Sequence, residues 1–147
     1  MVERFGPLLG TWTGRERQEA SPWAQATTTR ASMVLKLDVD ATVVLQDYRQ
    51  VRADGGELSG HGVFLLEPGT DRLLWWFFDS SGQVPVPATG DARDGGLVLE
   101  RPGPSGSARH HLRVAEDQLE YRVTVRLGDG AAHQPFLLGR YRRLTGH

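Results

Sequence analysis

Apolar and polar residues alternate with a period of two along almost the whole chain. The cleanest stretch is 119–127, where Leu119, Tyr121, Val123, Val125 and Leu127 interleave with Glu120, Arg122, Thr124 and Arg126. Ala31, Met33, Leu35 and Leu37 alternate in the same way with Arg30, Ser32 and Lys36. Successive side chains of a strand point to opposite faces, so this pattern predicts strands with one buried face. It places strands at Leu9–Gln18, Ala26–Leu37, Thr42–Arg52, Glu57–Leu66, Arg72–Asp79, Val84–Ala88, Leu97–Arg101, Ala108–Val114, Leu119–Leu127 and Pro135–Arg143. Turns such as Asp54-Gly55-Gly56 and Asp94-Gly95-Gly96 separate them. Helix is nearly absent, and only Val2–Leu9 suits a short turn covering one end. About ten short strands joined mainly by nearest-neighbour hairpins predict an all-β, antiparallel up-and-down barrel, because closing the sheet removes its exposed edges.

Two stretches depart from simple alternation. Gly10-Thr11-Trp12 puts a glycine two residues before an indole at the mouth of the first strand, where the ring can plug one end of a barrel. Trp12, Gly14 and Glu16 then share one side of that strand. Leu73–Phe78 is apolar on both faces, so its outer side is either covered or forms an exposed patch. A homodimer interface over Trp75/Phe77 or Trp76/Phe78 is the expectation drawn from it.

Composition narrows the classes. At 147 residues the chain is one domain, 1–147, with 39% hydrophobic residues and four tryptophans for a core. A net charge of -1 with both signs interspersed offers no field for nucleic acid. Lys36 is the only lysine among 17 basic residues, a bias that we assign to a GC-rich genome. The absence of cysteine excludes disulfides and thiolate chemistry. Met1–Leu9 lacks the pattern of a signal peptide and no run is long enough to span a membrane, so a cytoplasmic protein without membrane contact is expected.

Leu9-Gly10-Thr11-Trp12, Ser21-Pro22-Trp23, Leu45-Gln46-Asp47-Tyr48, Gly60-His61-Gly62-Val63-Phe64, Phe78-Asp79-Ser80 and Gly139-Arg140-Tyr141-Arg142-Arg143 recur in that order along the chain. In these motifs it resembles a bacterial family of calycin-like barrels without an assigned activity. That group includes lipocalins, fatty-acid-binding proteins and haem-binding nitrobindins. The resemblance implies eight to ten antiparallel strands around a cavity for a small apolar or amphipathic ligand. It also implies that a late arginine, Arg140 or Arg142, packs across Trp12 by cation–π stacking.

The candidate chemistry is sparse. Among the five histidines, His110 shares a face with Leu112 and Val114 and is the likelier to point inward, while His111 faces the other way. His61 lies between two glycines in a strand whose two faces are equally apolar, so inward and outward placements stay open. Glu16, Asp47 and Asp79 are carboxylates set in apolar strands, and an inward one needs an arginine or tyrosine partner to stay charged. No metal-ligand spacing occurs, and no cofactor is expected. A single inward histidine ligating haem is the exception that the nitrobindins suggest, although their local ligand pattern is missing here. The leading expectation is binding of a small apolar or aromatic molecule, lined by Trp23, Tyr48, His61, Trp76, Asp79, His110 and Tyr121. The alternative is a cofactor-independent cyclase, isomerase or hydrolase in which His61 or His110 exchanges protons with Asp79 or Asp47. A third reading is a partner-binding module that uses Leu73–Phe78.

Overall fold

The computed structural model describes residues 2–20, 25–82, 84–93, 95–103, 106–128 and 131–145. Trp23, with the Ser21-Pro22 before it, lies outside the described residues, as does His147. A short helix, α1 (Val2–Phe5), and a 3-10 turn (Gly6–Leu8) lead into ten strands. These are β1 (Gly10–Gln18), β2 (Thr27–Asp38), β3 (Val43–Val51), β4 (Glu57–Leu66) and β5 (Leu73–Asp79). They continue as β6 (Ala88–Arg93), β7 (Gly96–Gly103), β8 (Gly106–Ala115), β9 (Gln118–Leu127) and β10 (Gln134–Arg143). Each strand pairs with its sequence neighbours and β1 closes the ring on β10, giving the expected up-and-down barrel. Among the described residues no helix is long and apolar enough to cross a membrane.

One strand lies elsewhere than the alternation placed it. Val84–Pro87 is a loop, with Val84 88% exposed, and β6 begins only at Ala88. Pro85 and Pro87 have no N–H to offer a ladder, which keeps that segment out of the sheet. The true β6 buries Ala88 and Ala92, side chains too small to mark an apolar face in sequence. β6 is also short. It meets β5 only through Leu73↔Gly90, Leu74↔Thr89 and Trp75↔Ala88, whereas β7 follows β8 as far as Gly103. Among the described residues the ladder to β6 ends at Trp75 on β5 and at Glu100 on β7.

The N-terminal turn closes one end. Phe5, Leu8 and Trp12 are fully buried, and Trp12 Nε1 donates to the Leu8 carbonyl at 2.9 Å. The cation over the indole is Arg143, 4.2 Å from the ring centroid, rather than Arg140 or Arg142. Register gives the reason: Trp12 pairs with Arg143, so the inward face of β10 carries Gly139, Tyr141 and Arg143 and the other two arginines point out. Arg143 also donates to the carbonyls of Leu9 at 2.5 Å and Pro7 at 2.8 Å. Gly10, at φ +132°, is required here because a Cβ would stand 2.6 Å from the Arg143 guanidinium.

Inside, Phe64 stacks on Trp75 at 5.5 Å and tilts against Phe5 at 5.3 Å. Leu73, Trp75 and Phe77 face inward along β5, and Leu74, Trp76 and Phe78 face out, with Phe78 50% exposed. Leu127, inward by alternation, is 64% exposed where β9 runs out at the open mouth. Side chains near the closed end are fully buried, each contributing about 1.5–3 kcal/mol. The inner wall nearer the other mouth, including Tyr48, Phe77, Arg101, His110 and Tyr121, is only partly covered.

Candidate functional site

Two polar clusters face each other in the open half of the barrel. The first centres on Glu16, brought inside by the Trp12–Gly14–Glu16 face of β1 and almost fully buried. Its carboxylate accepts hydrogen bonds from the Tyr48 and Tyr141 hydroxyls, and from Gln50 Nε2 at 3.0 Å. Burial pushes both phenol pKa values upward and the charge of Glu16 adds to it, so both rings stay protonated and donate. With three donors the carboxylate is satisfied. It ties β1 to β3 and β10.

The second cluster is built from β7, β8 and β9. Tyr121 Oη lies 2.6 Å from His110 Nδ1 and makes no other side-chain hydrogen bond among the described residues. Burial raises the Tyr121 pKa, so the phenol keeps its proton and donates it to Nδ1, which leaves the imidazole proton on Nε2. Burial, then the positive charge of Arg101, lowers the His110 pKa to about 3, so the ring is neutral at ordinary pH. Arg101 lies 5.0 Å over the Trp75 ring, and burial lowers its pKa while the charge of Asp79 opposes this. Trp75 itself sits edge-on to His110 at 5.0 Å and donates to Gln46 Oε1 at 2.9 Å.

His110 Nε2 and Arg101 Nε and Nη2 are buried without a hydrogen-bond partner. Each such group costs about 1–3 kcal/mol when left unpaired, so a cluster of them calls for an explanation. All three are N–H donors. Arg101 lies over the Trp75 ring and His110 meets it in a T-shaped contact, and no acceptor among the described residues meets the three donors.

The fold separates the residues singled out from sequence. Tyr48, His110 and Tyr121 point inward, and Asp79 follows Trp75 and Phe77 to the inner rim, where it accepts from the Ser81 N–H at 2.9 Å. His61 and Asp47 do pair, at 2.9 Å, but on the exposed outer wall, because Phe64 fixes the inner parity of β4. The flanking Gly60 and Gly62 are the inward residues there, and a Cβ on either would collide with Phe77 or with Gln46 and Trp75. Trp76 is on the outer face of β5, and its neighbour Trp75 takes the inner place. No histidine–aspartate pair forms in the interior among the described residues, since His110 is partnered by a phenol. Arg101 and Trp75 belong to the site without having been among its candidates. Leu97, Leu99 and Arg101 share a face, a parity signal that could have identified the arginine.

No protein-family model matches the sequence, and no curated protein does. Solved structures do match. The structure of Rv2717c from M. tuberculosis is 20% identical with a TM-score of 0.74, over 97% of this chain and 96% of that one. An S-type phycobiliprotein lyase, CPES from Guillardia theta, is 13% identical with a TM-score of 0.69, over 97% and 92%. A designed β-barrel, EF1p2_mFAP2b bound to DFHBI, is 17% identical with a TM-score of 0.53, over 98% and 99%. At these identities the likeness establishes the fold alone, a closed ten-stranded antiparallel barrel.

Proposed function

We propose that the open half of the barrel binds a small aromatic molecule bearing an acidic or strongly hydrogen-bond-accepting group. The observation that carries this reading is the set of unpartnered donors, His110 Nε2 and Arg101 Nε and Nη2, beside the rings of Trp75 and Tyr121. An apolar wall with a few convergent polar groups is the general form of a small-molecule site. A flat ligand packs against the partly exposed rings of Phe77 and Tyr48 while its acceptor takes the N–H groups of Arg101 and His110. A designed barrel of the same fold that is bound to DFHBI supports the reading by analogy, as does the relation to a phycobiliprotein lyase.

The test is a titration of tryptophan fluorescence with 1-anilinonaphthalene-8-sulfonate, an aromatic anion, and with the uncharged 1-anilinonaphthalene. The anion is expected to quench the protein and to bind more tightly than the neutral analogue. Arg101→Met and His110→Phe should each weaken the anion by about tenfold, the value of one hydrogen bond to a charged group, and Arg101→Met should keep the melting temperature. Equal affinity for the two probes, or binding indifferent to both substitutions, overturns the reading. No cofactor enters it. A Soret band on adding haem that His110→Phe abolishes would instead assign the free imidazole nitrogen to iron.

A further inference from the structure

The outer wall carries a second feature, independent of the barrel interior. β2, β1 and β10 are adjacent, and their register sets Arg30 opposite Arg15 and Arg15 opposite Arg140. Three guanidinium-bearing residues thus stand side by side on three neighbouring strands, about 4.8 Å apart at the backbone. Like charges directly opposite one another in a sheet are destabilising. The row lies in a groove of about 860 Å³ on the outside of the barrel, which also holds Arg17, Arg113 and Arg142. All six arginines are exposed. Among the described residues two carboxylates meet them: Glu19 lies 3.6 Å from Arg17, and Glu120 is already engaged by Arg122 at 2.7 Å and Arg140 at 4.0 Å. Glu16 also borders the groove, but its side chain is turned into the barrel. Arg15, Arg30, Arg113 and Arg142 make no ion pair among the described residues.

We infer that this groove is a binding site for a compact polyanion carrying at least two phosphate groups. Guanidinium groups meet phosphate oxygens through two parallel N–H donors, which arginine supplies and lysine does not. A row of them at strand spacing places one fork on each of two linked phosphates and relieves the repulsion between Arg15 and its two neighbours. The groove's size falls in the range of small-molecule sites, about 300–1,000 Å³, which favours a compact ligand over an extended nucleic acid strand.

The experiment is calorimetric titration of the purified protein with inorganic pyrophosphate at fixed ionic strength, alongside orthophosphate, duplex DNA and phosphatidylserine vesicles. Pyrophosphate is expected to bind at least about tenfold more tightly than orthophosphate, because it engages a second charge-assisted pair. The double variant Arg15→Gln/Arg140→Gln should lose this binding. Without ligand it should melt no lower than the parent, since the repulsion is gone. Arg49→Gln, an exposed arginine outside the groove, should change neither. Equal affinity for the two phosphates, or equal loss in Arg49→Gln, overturns the site as general electrostatics. Binding to DNA or vesicles with no response to pyrophosphate overturns the compact ligand. A lower melting temperature in the double variant overturns the repulsion argument.

Discussion

The two ends of the barrel solve the same problem differently. At the closed end the two strong donors are matched among the described residues: the Trp12 indole donates to Leu8, and the Arg143 guanidinium reaches the carbonyls of Leu9 and Pro7. At the open end an arginine over an indole recurs, with Arg101 over Trp75, but Arg101 Nε and Nη2 have no acceptor among the described residues. The geometry is alike and the hydrogen-bond accounting differs. A cation–π pair that also ties down the chain terminus is a fastening. The same pair left with open donors, beside a histidine in the same condition, is prepared for a molecule that supplies acceptors.

Substitutions can break that contrast. The largest effect is expected from Trp12→Ala, which should cost about 3–5 kcal/mol as a large core truncation, read as a drop in denaturation midpoint. If it melts like the parent and loses 1-anilinonaphthalene-8-sulfonate instead, the closed end is not a fastening. Acid comes next. The His110 pKa of about 3 lies below the ordinary 6.5, so between those values the unfolded chain holds a proton that the folded one refuses. Stability should be fully present above pH 6.5 and fall as pH drops toward 3, by up to about 5 kcal/mol. His110→Phe should flatten that decline in acid denaturation. An unchanged decline would show that His110 is not held neutral by burial.

Tyr141→Phe takes one donor from the buried Glu16 carboxylate and should cost about 1.5–3 kcal/mol in urea unfolding. The smallest effect is expected at the outer wall. His61→Ala removes an exposed pair with Asp47, and should change stability by no more than about 0.5 kcal/mol and leave probe binding intact. A clear loss of binding would place His61 in the site after all.

The alternation was enough to predict nine of the strands close to where they lie, because most of them carry a face of large apolar residues and end at a turn. β6 escaped it, since its buried face is Ala88 and Ala92 and the apolar valines before it are held out by prolines. Inward parity was legible where polar residues mark the other face, as in β9, and illegible in β4 and β5, where both faces are apolar. That is why His61 and Trp76 were placed with the cavity and Trp75 was not.

Gly10-Thr11-Trp12 shows the division most directly. The sequence alone determined that a tryptophan would turn inward at the head of the first strand, and the resemblance to calycin-like barrels implied that an arginine of the last strand would cover it. Only the closed sheet decided which arginine, because a shift of one residue in the β1–β10 register exchanges inward for outward along the whole strand. The same register decided the outer wall. Interspersed charges averaging to -1 along the chain carry no visible field, yet closing β10 onto β1 beside β2 brings Arg140, Arg15 and Arg30 into one row. Local pattern fixes which residues alternate, whereas long-range pairing fixes which of them meet.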